Sequence, residues 1–130
     1  MSKIHKSAVI GSNVVIGKNV TIGPYSIIED GVKIANNNTI KSSVFITGNT
    51  DIGNNNTFYP FCSIGSPPQD LKFNNEITKL IIGSNNIFRE YANVNVGTKG
   101  GGGITSVGNN SLFMVGAHIA HDCIVGNSIV

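Results

Sequence analysis

The stretch IGKNVTIGPYSIIEDGVKIANNNTI, residues 16–40, carries isoleucine at Ile16, Ile22, Ile28, Ile34 and Ile40, one every six positions. The spacing runs back through Ile10 to Ile4 and forward through Ile46, Ile52 and Phe58 to Ile64. Neither a 3.6-residue helix nor the two-residue alternation of a strand produces this period. It fits a coil whose wall turns a corner once per repeat, and therefore a solenoid.

The other positions of the hexapeptide support that reading. The residue after the large apolar one is glycine at 11, 17, 23, 53, 65, 83, 108 and 126. Three positions after it stand Asn, Gly or Asp at 13, 19, 31, 37, 49, 55, 85, 97, 110, 116 and 122, types that tolerate a left-handed turn at a corner. Four positions after it the residue is small or β-branched, as at Ala8, Val14, Ser26, Val44, Cys62 and Ala92. That position and the next large apolar residue are two apart, so both point inward and the residue between them points out. Three such edges close a triangular coil of eighteen residues, with coils stacked as parallel strands about 4.8 Å apart. The fold class expected is all-β, a parallel β-helix over residues 1–130.

Two insertions are expected, at about 66–81 and 99–106. Ile64 and Ile82 are eighteen apart, as if a loop replaced part of one coil, and Val107 follows Val94 by thirteen, as if one residue bulged outward. The chain stops at Val130 in mid-coil without the cap a solenoid needs. The expectation is a segment of a longer protein, whose open coil at 125–130 presents an unpaired edge that promotes end-to-end association.

Composition narrows the function. A formal charge of +2 and the absence of a Lys/Arg-rich run argue against nucleic acid as a partner. No apolar run approaches the roughly 20 residues of a membrane span, and residues 1–10 lack a signal peptide's basic start and apolar core. Cys62 and Cys123 read as small buried side chains in a reducing compartment.

The chemistry-bearing stretch is His118-Ile119-Ala120-His121-Asp122. In the repeat register His118 is the outward residue of its strand, while His121 and Asp122 fall at a corner. Asp122 fits a left-handed turn in any case, and an outward His121 could be plain surface. Yet only three histidines exist, and two lie three residues apart beside an acid. A histidine with a neighbouring carboxylate suits a general base, because the acid fixes its tautomer and stabilises the imidazolium. The second candidate is the loop Pro67-Pro68-Gln69-Asp70-Leu71-Lys72-Phe73, stiffened by two prolines. Gly100–Gly103 fits neither dinucleotide nor P-loop spacing and reads as a flexible bulge.

Together, the repeats, Gln69-Asp70-Leu71-Lys72-Phe73, Arg89-Glu90-Tyr91, the Gly-Thr-x-x-Gly-Gly-Gly bulge from Gly97, and Ala117-His118-Ile119-Ala120-His121-Asp122-Cys123 resemble the acyl-[acyl-carrier-protein]–UDP-N-acetylglucosamine O-acyltransferases of lipid A biosynthesis. The hexapeptide pattern is shared by many transferases; the order loop, glycine bulge, AHIAHDC is specific. The resemblance implies a left-handed β-helix, truncated here before further coils and a C-terminal helical domain. It implies transfer of a 3-hydroxyacyl chain from acyl carrier protein to the 3-hydroxyl of UDP-N-acetylglucosamine in the cytoplasm. The enzyme would be a homotrimer with sites between subunits, without cofactor or metal, and this segment alone would be inactive. On matching positions it implies His121 as general base and Asp122 as its orienting acid. Asp70, His118 and Gln69 would contact the sugar nucleotide, Lys72 would sit in the cleft, and Met114 would lie along the groove. The chain departs from many members in carrying Asn95-Val96 before Gly97-Thr98, where they carry His-Arg, so a cationic contact is missing.

Other readings meet specific obstacles. A zinc carbonic anhydrase on the same helix needs three histidine ligands, and His5 lies many coils from His118 and His121. An ice-binding or scaffold solenoid would repeat Thr along an outward column, whereas Val9, Val15, Thr21, Ile27, Lys33 and Thr39 are mixed. An amide-forming relative acting on a 3-amino sugar stays open.

Overall fold

The computed structural model describes residues 2–130. Among the described residues there are eighteen short strands and no helix, and the strands form three six-stranded parallel sheets. The first face stacks Lys3–Ile4, Thr21–Ile22, Thr39–Ile40, Thr57–Phe58, Ile87–Phe88 and Leu112–Phe113. The second stacks Val9–Ile10, Ile27–Ile28, Phe45–Ile46, Ser63–Ser66, Asn93–Asn95 and His118–Ile119. The third stacks Val15–Ile16, Lys33–Ile34, Thr50–Ile52, Lys79–Ile82, Ile104–Val107 and Ile124–Val125. Each strand pairs with its counterpart one coil away, Ile22 with Ile40 and Ile28 with Ile46. The chain is thus a triangular left-handed β-helix, an exception to the right-handed rule for parallel crossovers.

The six-residue column is the core. Ile22, Ile28, Ile34, Ile40, Ile46, Phe58, Ile64, Ile82 and Phe88 are all buried, and each such side chain contributes about 1.5–3 kcal/mol by leaving water. On the first face Phe58, Phe88 and Phe113 stack in line, with ring centroids 5.0 and 4.8 Å apart. Cys62 is inside, and burial pushes its thiol up to about 11. Cys123 is exposed, contrary to expectation, because no coil beyond it covers that end of the described helix.

The corner rule extends further than composition suggested. Left-handed φ occurs at Asn19, Asn37, Asn55, Asn85 and Asn110, but also at Tyr25, Ser43, Phe61 and Tyr91. In the coil of Ile46 it falls on Gly48 rather than Asn49, where the next strand starts early at Thr50.

Both insertions are larger than the six-residue phase indicated. Ile82 pairs with Ile52, thirty residues away, where a regular coil has eighteen, so the first loop adds twelve residues and replaces nothing. Val107 pairs with Ile82, twenty-five away, so the second adds seven residues rather than one. The phase misleads because a shift of six moves the chain to the next face without disturbing the pattern. Strands claim both ends of the first expected insertion, leaving a loop over 67–78, and the C-terminal end of the second, whose loop starts earlier and covers 96–103.

Candidate active site

Both insertions leave the helix at the corner between the second and third faces, in successive coils. The same corner of the following coil is residues 120–123, carrying His121 and Asp122. Three consecutive coils therefore direct their irregular chemistry to one edge of the prism.

The loop 67–78 is tethered at its middle. Pro68 is buried and Phe73 packs against the core. Asp70 forms a turn, its Oδ1 accepting from the Lys72 amide at 2.9 Å and its carbonyl from the Phe73 amide at 2.9 Å. Glu76 Oε2 accepts from the Lys99 amide at 2.8 Å, tying the loop to the bulge above it. The bulge is an ordered turn: the Thr98 carbonyl accepts from the Gly101 and Gly103 amides at 3.2 and 2.8 Å. The sequence reading of these glycines as a flexible bulge left out this closure.

Asp70, Lys72, Glu76, Thr98, Gly100, Gly101 and His121 line one cleft of about 340 Å³. A second hollow of about 310 Å³ lies beneath the loop, bordered by Gly48, Phe73, Ile77 and Val96 among others. Val96, at the position where a cation was missed, is buried beside Gly48, and Asn95 is buried with its Oδ1 unpaired.

Within the cleft, His121 Nδ1 lies 2.8 Å from Asp122 Oδ2. Asp122 adopts φ 63°, and this turn aims its side chain back along the helix toward the preceding coil. There the Thr98 amide donates to Oδ1 at 2.7 Å and the Thr98 hydroxyl to Oδ2 at 2.5 Å, while the Asp122 amide donates to Thr105 Oγ1 at 2.9 Å. Gly97 and Gly101 make room for the carboxylate, since a Cβ on either would stand 2.7 or 2.0 Å from an Asp122 oxygen. The Asp122 side chain is only 10% exposed and that of His121 36%. Burial alone would raise the pKa of Asp122. The Thr98 hydroxyl, His121 and the Thr98 amide outweigh it and hold the carboxyl below its ordinary range. An ionised Asp122 accepts the proton-bearing Nδ1 of His121, which leaves Nε2 as the basic nitrogen.

One chain thus brings Asp70, Lys72, His121 and Asp122 together. Gln69 is exposed on the loop and does not line the cleft. His118 stands outward on the second face, its Nδ1 3.1 Å from Asn93 Oδ1. Met114 is exposed at the corner between the first and second faces, one edge away from His121. The sequence reading missed Thr98, Glu76 and Gly101. The only signal for Thr98 and Gly101 was the Gly-Thr…Gly motif, which carries no role until the pairing register is known; Glu76 had none. Among the described residues no cluster of three or more His, Cys, Asp or Glu side chains could hold a metal ion.

The family model for bacterial transferase hexapeptides (six repeats) matches residues 1–36 and 13–48. An acyl-[acyl-carrier-protein]–UDP-N-acetylglucosamine O-acyltransferase of Rickettsia bellii is 54% identical over 94% of this chain and 43% of its own length. The one from Thermodesulfovibrio yellowstonii is 45% identical over the whole chain and 50% of its own length. The solved LpxA structure of Acinetobacter baumannii superposes with a TM-score of 0.94 at 44% identity, over 95% of this chain and 48% of that one. The chain spans about half the length of the relatives it matches. Over that span the chain is similar, in sequence and in fold, to the acyl-[acyl-carrier-protein]–UDP-N-acetylglucosamine O-acyltransferases.

Proposed function

We propose that this chain is the catalytic β-helix of an acyltransferase that moves a 3-hydroxyacyl group from acyl carrier protein to the 3-hydroxyl of UDP-N-acetylglucosamine, the first acylation of lipid A. The observation that carries the reading is the His121–Asp122 pair in the cleft that the loop and the bulge border. His121 Nε2 takes the proton of the sugar hydroxyl as its oxygen attacks the thioester carbonyl. The C–S bond breaks as the tetrahedral intermediate collapses, and the imidazolium returns the proton to the departing carrier thiolate. The acid beside Nδ1 stabilises the imidazolium between these two transfers. In this reading Asp70 contacts the sugar nucleotide together with Gln69 and His118, and Lys72 supplies positive charge in the cleft.

The working unit in this reading is a cytoplasmic homotrimer with sites between subunits. His118, on the second face, and Met114, at the corner between the first and second faces, do not line the cleft of His121, so in this reading they serve the reaction across a junction between copies. Tyr25, Phe61, Tyr91, Met114 and Val115 are exposed along one edge and offer apolar surface for that junction. Among the described residues no helix is long and apolar enough to cross a membrane.

The test uses the full-length protein. Acyl transfer from 3-hydroxyacyl carrier protein to UDP-N-acetylglucosamine is measured with and without His121→Ala. The expected loss in kcat is about 10²–10⁴-fold, the range for a general base, and equal rates overturn the assignment. Sedimentation velocity tests the assembly: a trimer is expected, and a stable active monomer rules it out.

A further inference from the structure

We propose that Thr98 is the positioning residue of the catalytic pair, acting through Asp122 on the tautomer and aim of His121. The inference rests on the reading of His121 as base and adds a residue to it. The carboxylate of Asp122 meets Thr98 at both oxygens, the amide on Oδ1 and the hydroxyl on Oδ2. Two donors from one residue fix the plane of the carboxylate, which a single bond does not. Oδ2 is also the oxygen that faces His121 Nδ1. The direction of the Thr98 hydroxyl is set as well. Its oxygen accepts from the Gly101 amide at 3.1 Å, so its hydrogen is turned toward Asp122.

The surrounding backbone is shaped to this contact. The seven-residue insertion carries Thr98 to within reach of an acid twenty-four residues further along the chain. Gly97 and Gly101 flank it, each lacking the Cβ that would collide with the carboxylate. The turn itself does not need the hydroxyl, because the Thr98 carbonyl accepts from Gly101 and Gly103. Thr98 borders the cleft, but its amide and hydroxyl are both engaged by Asp122, so it works through the acid.

Removing the hydroxyl leaves the carboxylate charge less shared on Oδ2, opposite the imidazolium. The imidazolium is then favoured, and its deprotonation moves to higher pH. The other ionisable groups lining the cleft with His121 are Asp70, Lys72 and Glu76, which remain in every variant, so a shift reports on Asp122.

The experiment compares the full-length parent, Thr98→Val, Thr98→Ser and His121→Ala in kinetics across pH, alongside thermal unfolding. Thr98→Val is expected to lower kcat about 10–100-fold, the size of one hydrogen bond to a charged group. KM for the sugar nucleotide should stay within about twofold, since the lost contact does not touch substrate. The acid limb of kcat/KM should move to higher pH, and Thr98→Ser should restore both rate and limb. Thr98→Ala carries the same test if the valine does not fold. Parental kcat and an unmoved acid limb in the variant lacking the hydroxyl overturn the proposal. So does a loss of rate that tracks the fall in melting temperature and leaves the limb in place. Parental rates in His121→Ala instead overturn the reading of the base, a result separate from that on Thr98.

Discussion

Two corners of the prism use one backbone device for opposite ends. Between the third and first faces, Asn37, Asn55, Asn85 and Asn110 hold φ near 60° in successive coils, and nothing leaves the helix. The residue before each joins a ladder along the axis: Asn36 accepts from the Lys18 amide, Asn54 from Asn36, Ser84 from Asn54, Asn109 from Ser84 and Asn127 from Asn109, at 2.7–2.9 Å. The residue after it forms a buried ladder, Asn38, Asn56, Asn86 and Ser111, each side-chain oxygen accepting the amide of the next member at 2.9–3.0 Å. Between the second and third faces the left-handed position is Gly31 and Gly48, and, past the two coils that carry the loops, Asp122. There two loops depart, and the turn aims a carboxylate at a threonine. The left-handed turn is neutral scaffolding, and function is decided by which side chain occupies it and what the neighbouring coil presents to that side chain.

The largest effect that sharpens this contrast is Asp122→Asn. Asparagine tolerates the same φ, so the turn should survive. The amide donates where the carboxylate accepted, which turns His121 over and puts a proton on Nε2. We expect kcat to fall by about 10²–10⁴-fold with the melting temperature little changed. The mirror substitution Asn55→Asp, at an exposed position of the other corner, should leave activity unchanged. Acyl-transfer rates and thermal melts on the full-length protein decide it, and equal losses in both variants break the comparison.

Next is Asn56→Ala, which interrupts the buried ladder. Asn56 accepts from the Asn86 amide and donates to Asn38 Oδ1 and the Gly83 carbonyl. Its loss strands several buried groups, which should cost roughly 2–5 kcal/mol in denaturant unfolding. Turnover per folded molecule should stay at the parental value, because no part of this corner touches the cleft.

These ladders show where the sequence was readable and where it was not. The period named the core column, because in this fold every sixth residue points inward; at the first coil Ile4 belongs to the column but is exposed. The runs Asn36-Asn37-Asn38 and Asn54-Asn55-Asn56 are different. Composition assigns all of them to turns, yet the first member is an outward ladder rung, the second takes the left-handed φ and the third lies buried. Residue type cannot separate these roles; the six-residue phase places the second member at the turn and the third inside, and only register against the neighbouring coils shows the first and third as ladders. The insertion lengths failed for a related reason, since the phase counts modulo six while the faces repeat every eighteen. His121 and Asp122 were legible as adjacent chemistry. Thr98 and Glu76 were not, because each meets its partner across residues whose path the sequence leaves open: Asp122 for one, the Lys99 amide for the other.

Gly100 and Gly101 give a third test within one turn. A Cβ on Gly100 meets nothing within 4 Å, whereas one on Gly101 lands 2.0 Å from Asp122 Oδ2. Gly100→Ala should be neutral, and Gly101→Ala should cost about tenfold or more in kcat by displacing the acid. Equal behaviour of the two would mean that the bulge does not position Asp122.

The smallest expected effect is a pH dependence of stability. The lowering of the Asp122 pKa is the net of opposed causes, burial against three bonds, so its contribution is modest. The folded carboxyl titrates below its ordinary 3.8, so near that pH the unfolded chain binds more protons and stability rises with pH. The contribution is complete above about 3.8 and is lost as pH falls through the lower, folded value. Subtracting the unfolding curve of Asp122→Asn from that of the parent isolates it. The difference should be flat from neutrality to about pH 4 and shrink below that; a difference that grows on acidification would mean that the folded carboxyl titrates above its ordinary range, so that burial at this corner outweighs the bonds from Thr98 and His121.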